Sequence, residues 1–172
     1  MLSLVLGGAR SGKSALAERL AIASGREVVY VATAQALDAE MSERIAHHRS
    51  RRPTGWRLVE EPLALADTLA SHARDDRFVL VDCLTLWLSN LLGAEDASRF
   101  ERERDALLQA RALPGDVCFV SNEVGLGITP LGELTRRFVD EAGRLHQALA
   151  QRCDRVVFVA AGLPLTLKGT LP

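Results

Sequence analysis

The sequence has little net charge, few cysteines and no long apolar run. Its 172 residues include 21 Lys and Arg against 22 Asp and Glu, a formal net charge of −1. That balance gives no support for bulk electrostatic binding to nucleic acid or to a membrane surface. Cys83, Cys118 and Cys153 are widely spaced and form no CxxC pair. Their spacing disfavours a zinc site or a disulfide framework and favours buried, reduced thiols.

The N-terminal residues MLSLVLGGARSGK have no basic region and only a short apolar run before the first glycine. The run is too short for a signal peptide or a membrane span, so we expect a cytoplasmic protein. The chain has no internal repeat, low-complexity stretch or long linker. With 48% hydrophobic and 25% charged residues, it has the composition of a globular protein. We expect one domain over residues 1–172.

Short apolar runs alternate with amphipathic segments along the chain. The runs predicted as strands are 2–6, 28–32, 78–82, 117–121 and 156–160, with a weaker extended segment at 56–60. Their continuous apolar character is typical of parallel strands covered on both faces. Helices are predicted at 13–23, 38–51, 62–73, 84–92, 98–112 and 131–151. This alternation predicts a three-layer α/β fold with a mostly parallel central sheet. The C-terminal LPLTLKGTLP is expected to be a weakly specified tail.

Residues 7–14, GGARSGKS, match the phosphate-binding pattern G-x-x-x-x-G-K-[ST] between an apolar strand and a helical pattern. Such glycines let backbone N–H groups approach phosphate oxygens, and the helix N-terminus adds partial positive charge. Lys13 is expected to reach the β- and γ-phosphates, and Ser14 to bind Mg²⁺. The pattern predicts a P-loop NTPase-like (RecA-like) domain. The expected nucleotide-binding residues here are Gly7, Gly8, Ala9, Arg10, Ser11, Gly12, Lys13 and Ser14.

An acidic residue, Asp82, ends the apolar run RFVLVD. Carboxylates at the end of a second strand in P-loop proteins hold the metal, here through water. The alternative is that Asp82 only caps a helix beginning near Leu84. The guanine-reading pattern N-K-x-D is missing from the sequence, which argues against a Ras-like switch. Phosphoryl or nucleotidyl transfer to a small molecule is the expected class of reaction.

Two adjacent histidines lie within the arginine-rich segment MSERIAHHRSRRPTGW, residues 41–56. On a helix, His47 falls on the polar face beside arginines and His48 borders the apolar face. Neighbouring helical residues diverge by about 100°, which disfavours a shared metal ion. Three interpretations remain open from the residues alone: a solvated helix face, an arginine clamp for anions, and a nucleophilic His47 that attacks phosphorus.

The chain resembles, over nearly its whole length, the bifunctional adenosylcobinamide kinase/adenosylcobinamide-phosphate guanylyltransferases of cobalamin biosynthesis. The matching segments, in order, are GGARSGKS, YVATAQALDAEM, RIAHHRSRRPTGW, VDCLTLWLSNLL, SNEVGLGITP and AGRLHQALA. The resemblance implies two reactions. ATP or GTP phosphorylates adenosylcobinamide, and GTP then transfers GMP, through a guanylyl-histidine, to adenosylcobinamide phosphate with loss of pyrophosphate.

The resemblance also implies residue roles and partners. It makes His47 the histidine that accepts GMP. The further nucleotide-binding residues that it implies are Ala32, Thr33, Ala34, His48, Arg49, Ser50, Arg51, Glu60 and Asp82. Mg²⁺, held by Ser14 and Asp82, is the expected cofactor, with GTP and ATP as substrates. The expected partners are a corrinoid substrate and further copies of the chain, with a trimer suggested, and neither nucleic acid nor a membrane span.

The residues leave alternatives open for one loop and for the function. Residues 122–127, NEVGLG, either shape the corrinoid or phosphate site or form a flexible glycine turn. A monofunctional small-metabolite kinase, with Arg44–Arg52 as a lid, is the alternative enzyme. A non-catalytic nucleotide-sensing module is the alternative without turnover.

Overall fold

The computed structural model of the chain describes residues 1–36, 38–39, 43, 53–110 and 113–171. Its strands are β1 (Leu2–Gly7), β2 (Glu27–Ala32), β3 (Arg57–Glu60), β4 (Arg77–Asp82), β5 (Asp116–Asn122), β6 (Arg155–Ala160) and β7 (Leu163–Lys168). Its helices, numbered in chain order, are α1 (Lys13–Ala23), α2 (Leu65–His72), α3 (Leu84–Leu92), α4 (Ser98–Gln109) and α5 (Glu133–Arg152).

The seven strands form one sheet in the order β3-β2-β4-β5-β1-β6-β7. Every neighbouring pair is parallel except β6 and β7, which are antiparallel. Alternate residues of β1 enter different cores: Leu4 and Leu6 belong to one buried cluster and Val5 to the other. Both faces of the sheet are therefore covered, which explains why its strands read as continuous apolar runs. The predicted three-layer α/β fold is confirmed.

The strand order places the carboxyl ends of β1, β5 and β4 side by side. Gly7 pairs with Asn122 across β1 and β5, and Asp82 pairs with Val120 across β4 and β5. Ligands of open α/β sheets bind in the crevice outside the carboxyl ends of the strands. The P-loop (residues 7–14) and Asp82 thus lie at the same edge, separated by the width of one strand.

The predicted strands are confirmed, most of them longer by one or two residues, and the weak segment at 56–60 is β3. Among the predicted helices, 62–73 is shortened to Leu65–His72, and the last begins at Glu133 rather than at 131. The helix predicted at 98–112 ends at Gln109, and residues 111–112 lie outside the described ranges. Most of the segment predicted as a helix at 38–51 also lies outside them.

The C-terminal segment is a strand, so the expectation of a weakly specified tail is wrong. β7 follows a two-residue turn in which Ala161 (φ 52°) and Gly162 (φ 78°) both have positive φ, the backbone that tight hairpin turns require. The Lys168 ammonium donates hydrogen bonds to the carbonyls of Ala150 and Gln151, at the end of α5. The alternating leucines of LPLTLK are a strand signal, but they face solvent and not the core. None of the helices in the described ranges is long and apolar enough to cross a bilayer.

Candidate active site

The P-loop connects β1 to α1 and turns sharply before the helix. Gly12, with φ 96°, is the N-cap residue of α1, and Arg10 also has positive φ, 56°. The Ser11 N–H donates to the Gly8 carbonyl at 3.2 Å, which closes the turn. The first turn of α1 therefore directs its unpaired N–H groups into the loop, as a phosphate site requires.

Two glycines of the P-loop pack closely against neighbouring residues. A Cβ on Gly7 would lie 2.5 Å from both the Ser11 Oγ and the Val159 carbonyl oxygen. A Cβ on Gly12 would lie 3.2 Å from the Gly162 Cα, in the β6–β7 turn. The Gly162 N–H also donates to the Ser11 carbonyl at 2.8 Å. The C-terminal hairpin thus supports the P-loop from one side.

Lys13 is held within this loop. Its side chain is 8% exposed, and its ammonium donates to the Gly8 carbonyl at 3.1 Å. Burial lowers the pKa of Lys13, and the Asp82 carboxylate opposes that shift. The Ser11 hydroxyl is buried and has no hydrogen-bond partner among the described residues. Buried hydroxyls are normally paired, so an ammonium and an unpaired hydroxyl in one loop fit a phosphate group.

Asp82 faces the P-loop from the end of β4. The Tyr30 hydroxyl donates to its carboxylate at 3.0 Å. α3 begins at Leu84 with Cys83 as its N-cap residue and no side-chain cap, so the alternative of Asp82 as a helix cap is not supported. In the described residues, no group of three or more His, Cys, Asp or Glu could hold a metal ion. One carboxylate and the Ser14 hydroxyl instead suit Mg²⁺, which binds proteins through few side chains plus substrate phosphates.

Thr33 is placed at the same edge, but its hydroxyl is used inside the protein. It is fully buried, donates to the Cys83 carbonyl at 2.7 Å and accepts from the Cys83 N–H at 2.9 Å. Asn90 donates to the Thr33 carbonyl at 2.8 Å. Thr33 therefore fixes the end of β2 against the end of β4. Ala32 and Ala34 are half-buried beside it, and their contact with nucleotide stays a prediction.

Glu60 lies further from the P-loop. It is exposed at the end of β3 and pairs with Ala32 of β2. Four inter-strand spacings separate β3 from β1, about 19 Å at the usual spacing. Glu60 therefore belongs to the same edge as the P-loop without touching it, and could meet only the far end of a bound nucleotide.

The histidine–arginine segment lies outside the described residues. These predicted site residues are His47, His48, Arg49, Ser50 and Arg51. The chain on either side is described: β2 ends at Ala32, and Pro53 precedes β3. The described residues that precede the segment therefore follow the carboxyl end of β2, three strands away from β1.

Sequence reasoning missed a buried polar cluster behind the site. His146, on α5 and 6% exposed, has Nε2 2.8 Å from the Ser121 Oγ and Nδ1 3.6 Å from the Glu123 carboxylate. Glu123 directly follows β5, and its N–H donates to the carbonyl of Gly7 at 3.0 Å. One signal was available, because His146 lies on the buried side of α5 with Ala142, Leu145 and Leu149. The three predicted thiols are indeed free and buried.

Comparison with known proteins agrees with this arrangement. Residues 3–167 match the family described as cobinamide kinase / cobinamide phosphate guanyltransferase. The bifunctional adenosylcobalamin biosynthesis protein CobP of Pseudomonas aeruginosa is 64% identical over 170 residues, 98% of either chain. The bifunctional adenosylcobalamin biosynthesis protein CobU of Escherichia coli is 40% identical over 182 residues, covering 98% of this chain and 100% of that protein.

Two solved structures resemble the fold alone. The RadB recombinase has a TM-score of 0.50 at 21% identity, over 91% of this chain and 73% of that one. The flagellar accessory protein FlaH of Methanocaldococcus jannaschii has a TM-score of 0.50 at 14% identity, over 98% of this chain and 78% of that one. They support the predicted RecA-like architecture. With the family match over most of its length, the chain belongs to the cobinamide kinase / cobinamide phosphate guanyltransferase family.

Proposed function

We propose that this chain performs both reactions of its family in the cytoplasm, at one nucleotide site, with His47 as the covalent acceptor of GMP. The observation that carries the proposal is the P-loop, in which buried Lys13 faces Asp82 in a chain matched to this family from residue 3 to residue 167. The substrates are ATP or GTP and the corrinoid adenosylcobinamide, followed by its phosphate.

In the phosphorylation step, the protein mainly binds and positions charge. Backbone N–H groups of the P-loop and the Lys13 ammonium hold the β- and γ-phosphates. The unpaired Ser11 hydroxyl is available for a phosphate oxygen. Ser14 and Asp82 would hold Mg²⁺, which neutralises charge on the transferring phosphoryl group. The hydroxyl of adenosylcobinamide bonds to the γ-phosphorus as the bond to the leaving diphosphate breaks.

In the guanylylation step, the imidazole of His47 bonds to the α-phosphorus of GTP and pyrophosphate leaves. The phosphate of adenosylcobinamide phosphate then displaces the histidine and takes the GMP. The described chain before His47 leaves the sheet at the carboxyl end of β2, about 14 Å across the sheet from β1 at the usual strand spacing. This separation favours an approach of His47 to the nucleotide from the side opposite the P-loop. One loop can then hold the terminal phosphates in both reactions.

The covalent role of His47 is tested with GTP labelled at the α-phosphate. After denaturation, wild-type protein should keep label in a bond that is labile to acid and stable to alkali, as expected for phosphorus bound to nitrogen. His47→Ala should lose the label, and His72→Ala, on α2, should keep it. Label that survives His47→Ala would refute the covalent role. If the wild-type protein transfers γ-phosphate but never takes up label, the monofunctional kinase is favoured. If it binds nucleotide without any phosphoryl or guanylyl transfer, the sensing module is favoured.

We place the corrinoid over the loop between β5 and α5. Its apolar side chains are among the most exposed in the described chain: Leu126 80%, Ile128 97% and Leu131 98%. The loop starts beside the P-loop, since Glu123 bonds to Gly7, so an acceptor lying on it has its hydroxyl near the γ-phosphate. Ile128→Ser should raise KM for adenosylcobinamide with no change in nucleotide affinity. An unchanged KM for adenosylcobinamide would show that the corrinoid does not bind at this surface.

The chain is also proposed to self-associate through β7. This edge strand exposes Leu163, Leu165 and Leu167 at 72%, 60% and 57% on one face. An unpaired edge with an apolar face favours pairing with another chain. Light scattering should give a multiple of 18.7 kDa for the wild type and a smaller mass for Leu165→Lys. A wild type that is monomeric at micromolar concentration would contradict the proposal.

A further inference from the structure

The cluster of Ser121, His146 and Glu123 has the connectivity of a serine nucleophile triad, but its burial excludes that chemistry. Nε2 of His146 faces the hydroxyl, and Nδ1 faces the carboxylate, as in such triads. Ser121, however, is 0% exposed within β5, so no substrate carbon or phosphorus can reach its oxygen. The exposed member is Glu123, whose side chain is 22% accessible. The reactive end of the cluster is therefore its carboxylate.

Glu123 is held at the right place to meet the acceptor of the phosphoryl group. Its own N–H is bonded to the first residue of the P-loop, Gly7, at 3.0 Å. One carboxylate oxygen accepts the Gly125 N–H at 2.6 Å, and the other lies 3.6 Å from His146 Nδ1. Catalytic hydrogen bonds are often long before substrate binds. The carboxylate is thus fixed from two sides, at the start of the loop over which we placed the corrinoid.

His146 is suited to positioning this carboxylate and not to proton transfer of its own. Burial lowers the pKa of His146, an effect that the nearby Glu123 only partly opposes, so the ring is neutral. An ionised carboxylate only accepts hydrogen bonds, so the tautomer that suits this contact has the ring proton on Nδ1, directed at Glu123, and Nε2 then accepts from the Ser121 hydroxyl. A neutral donor orients the carboxylate without neutralising its charge, which leaves it basic.

We propose that Glu123 is the general base of the phosphorylation step and that His146, supported by Ser121, is its positioning residue. The inference rests on the proposed kinase reaction. The acceptor hydroxyl oxygen bonds to the γ-phosphorus, the bond from that phosphorus to the β–γ bridging oxygen breaks, and its electron pair leaves with the nucleoside diphosphate. The hydroxyl proton passes to the Glu123 carboxylate and then to solvent.

The second reaction gives an internal control. A phosphate monoester is already ionised at neutral pH, so adenosylcobinamide phosphate needs no base to attack the guanylyl-histidine. Loss of the Glu123 base should therefore slow the kinase step and spare GMP transfer. A loss caused by disturbed folding or nucleotide binding would slow both.

The test compares Glu123→Gln with Glu95→Gln, an exposed carboxylate in the α3–α4 loop. Glutamine keeps an oxygen for the Gly125 N–H but lacks the basicity. We expect Glu123→Gln to lower kcat for adenosylcobinamide phosphorylation about 100-fold or more. KM for the nucleotide and turnover of supplied adenosylcobinamide phosphate should stay within about threefold of the Glu95→Gln protein, no more than the effect of one weak hydrogen bond.

His146 is tested by a pair of substitutions. His146→Leu removes the donor and should lower kinase kcat about tenfold, the effect of one hydrogen bond to a charged group. His146→Asn keeps an N–H near the Nδ1 position and should restore most of that loss. Failure of asparagine to restore kcat would reduce His146 to a packing residue and overturn its positioning role.

Two results would overturn the role of Glu123: a kinase rate in Glu123→Gln equal to that of Glu95→Gln, or equal losses in both reactions. Failure of the proposed function looks different, because wild-type protein would then take up no label from GTP and phosphorylate no corrinoid. The two failures are distinguished by the wild-type assays alone.

Discussion

Gly7→Ala tests how tightly the P-loop packs against β6. The added Cβ would lie 2.5 Å from the Val159 carbonyl oxygen, about 0.9 Å short of the 3.4 Å at which ordinary contact begins. The Ser11 side chain, equally close, can rotate away, but the backbone of a central strand cannot. No positive φ is involved at Gly7, so space alone decides the effect. Overpacking of this kind costs about 1–3 kcal/mol.

Gly8→Ala is the matched control, since a Cβ at Gly8 meets nothing within 4 Å. In nucleotide-free protein, each kcal/mol lowers the melting temperature of a chain this size by about 2–4 °C. Gly7→Ala should therefore melt about 2–12 °C below the wild type, and Gly8→Ala close to it. The measurement is thermal unfolding followed by circular dichroism or calorimetry.

The shift of the P-loop that the added Cβ of Gly7→Ala requires should also weaken nucleotide binding. Loss of one charge-assisted hydrogen bond to phosphate is worth about 1.5–3 kcal/mol, or roughly a 10- to 150-fold higher Kd for ATP in Gly7→Ala. The Kd is measurable by titration calorimetry. A Gly7→Ala protein that melts as high as Gly8→Ala and binds ATP as tightly as the wild type would refute the packing argument.

Two further predictions concern buried polar groups. The folded-state pKa of His146 is lowered, mainly by burial, so its contribution to stability is present above about pH 6.5 and is lost as pH falls through the folded pKa. The free energy of unfolding, measured by urea titration, should therefore fall more between about pH 7.5 and pH 5.5 for the wild type than for His146→Asn. Equal decreases in the two proteins would contradict this prediction. Thr33→Val should lower the free energy of unfolding by about 1–3 kcal/mol because it leaves the buried N–H of Cys83 unpaired, whereas the Cys83 carbonyl still accepts the Trp87 N–H at 3.2 Å. Thr33→Ser should retain most of the stability in the same urea titration, and equal losses in the two variants would show that the hydroxyl is not what matters.

Local sequence was sufficient where one strong physical signal controls a segment. Continuous apolar runs predicted the buried parallel strands, because a strand covered on both faces needs apolar side chains at every position. The pattern at residues 7–14 predicted the P-loop, because the glycine positions follow from local backbone geometry. Helix ends were less accurate, as at Leu65, where no side chain caps the first turn.

The antiparallel strand β7 was missed because its leucines face away from the core. The usual link between an apolar pattern and burial fails for an exposed edge strand. Its importance to the site is not local either, since Gly162 reaches Ser11 across more than a hundred residues of chain.

The sequence by itself determined the α/β class, the position of the P-loop and, through its resemblance to known enzymes, the expected chemistry. Tertiary structure alone decided which residues meet. In the sheet, β5 lies between the strands that carry Gly7 and Asp82, and His146 of α5 lies against Glu123. The reason is physical: motifs and periodicity depend on neighbours within a few residues, whereas strand order and helix packing bring together side chains that no local pattern connects.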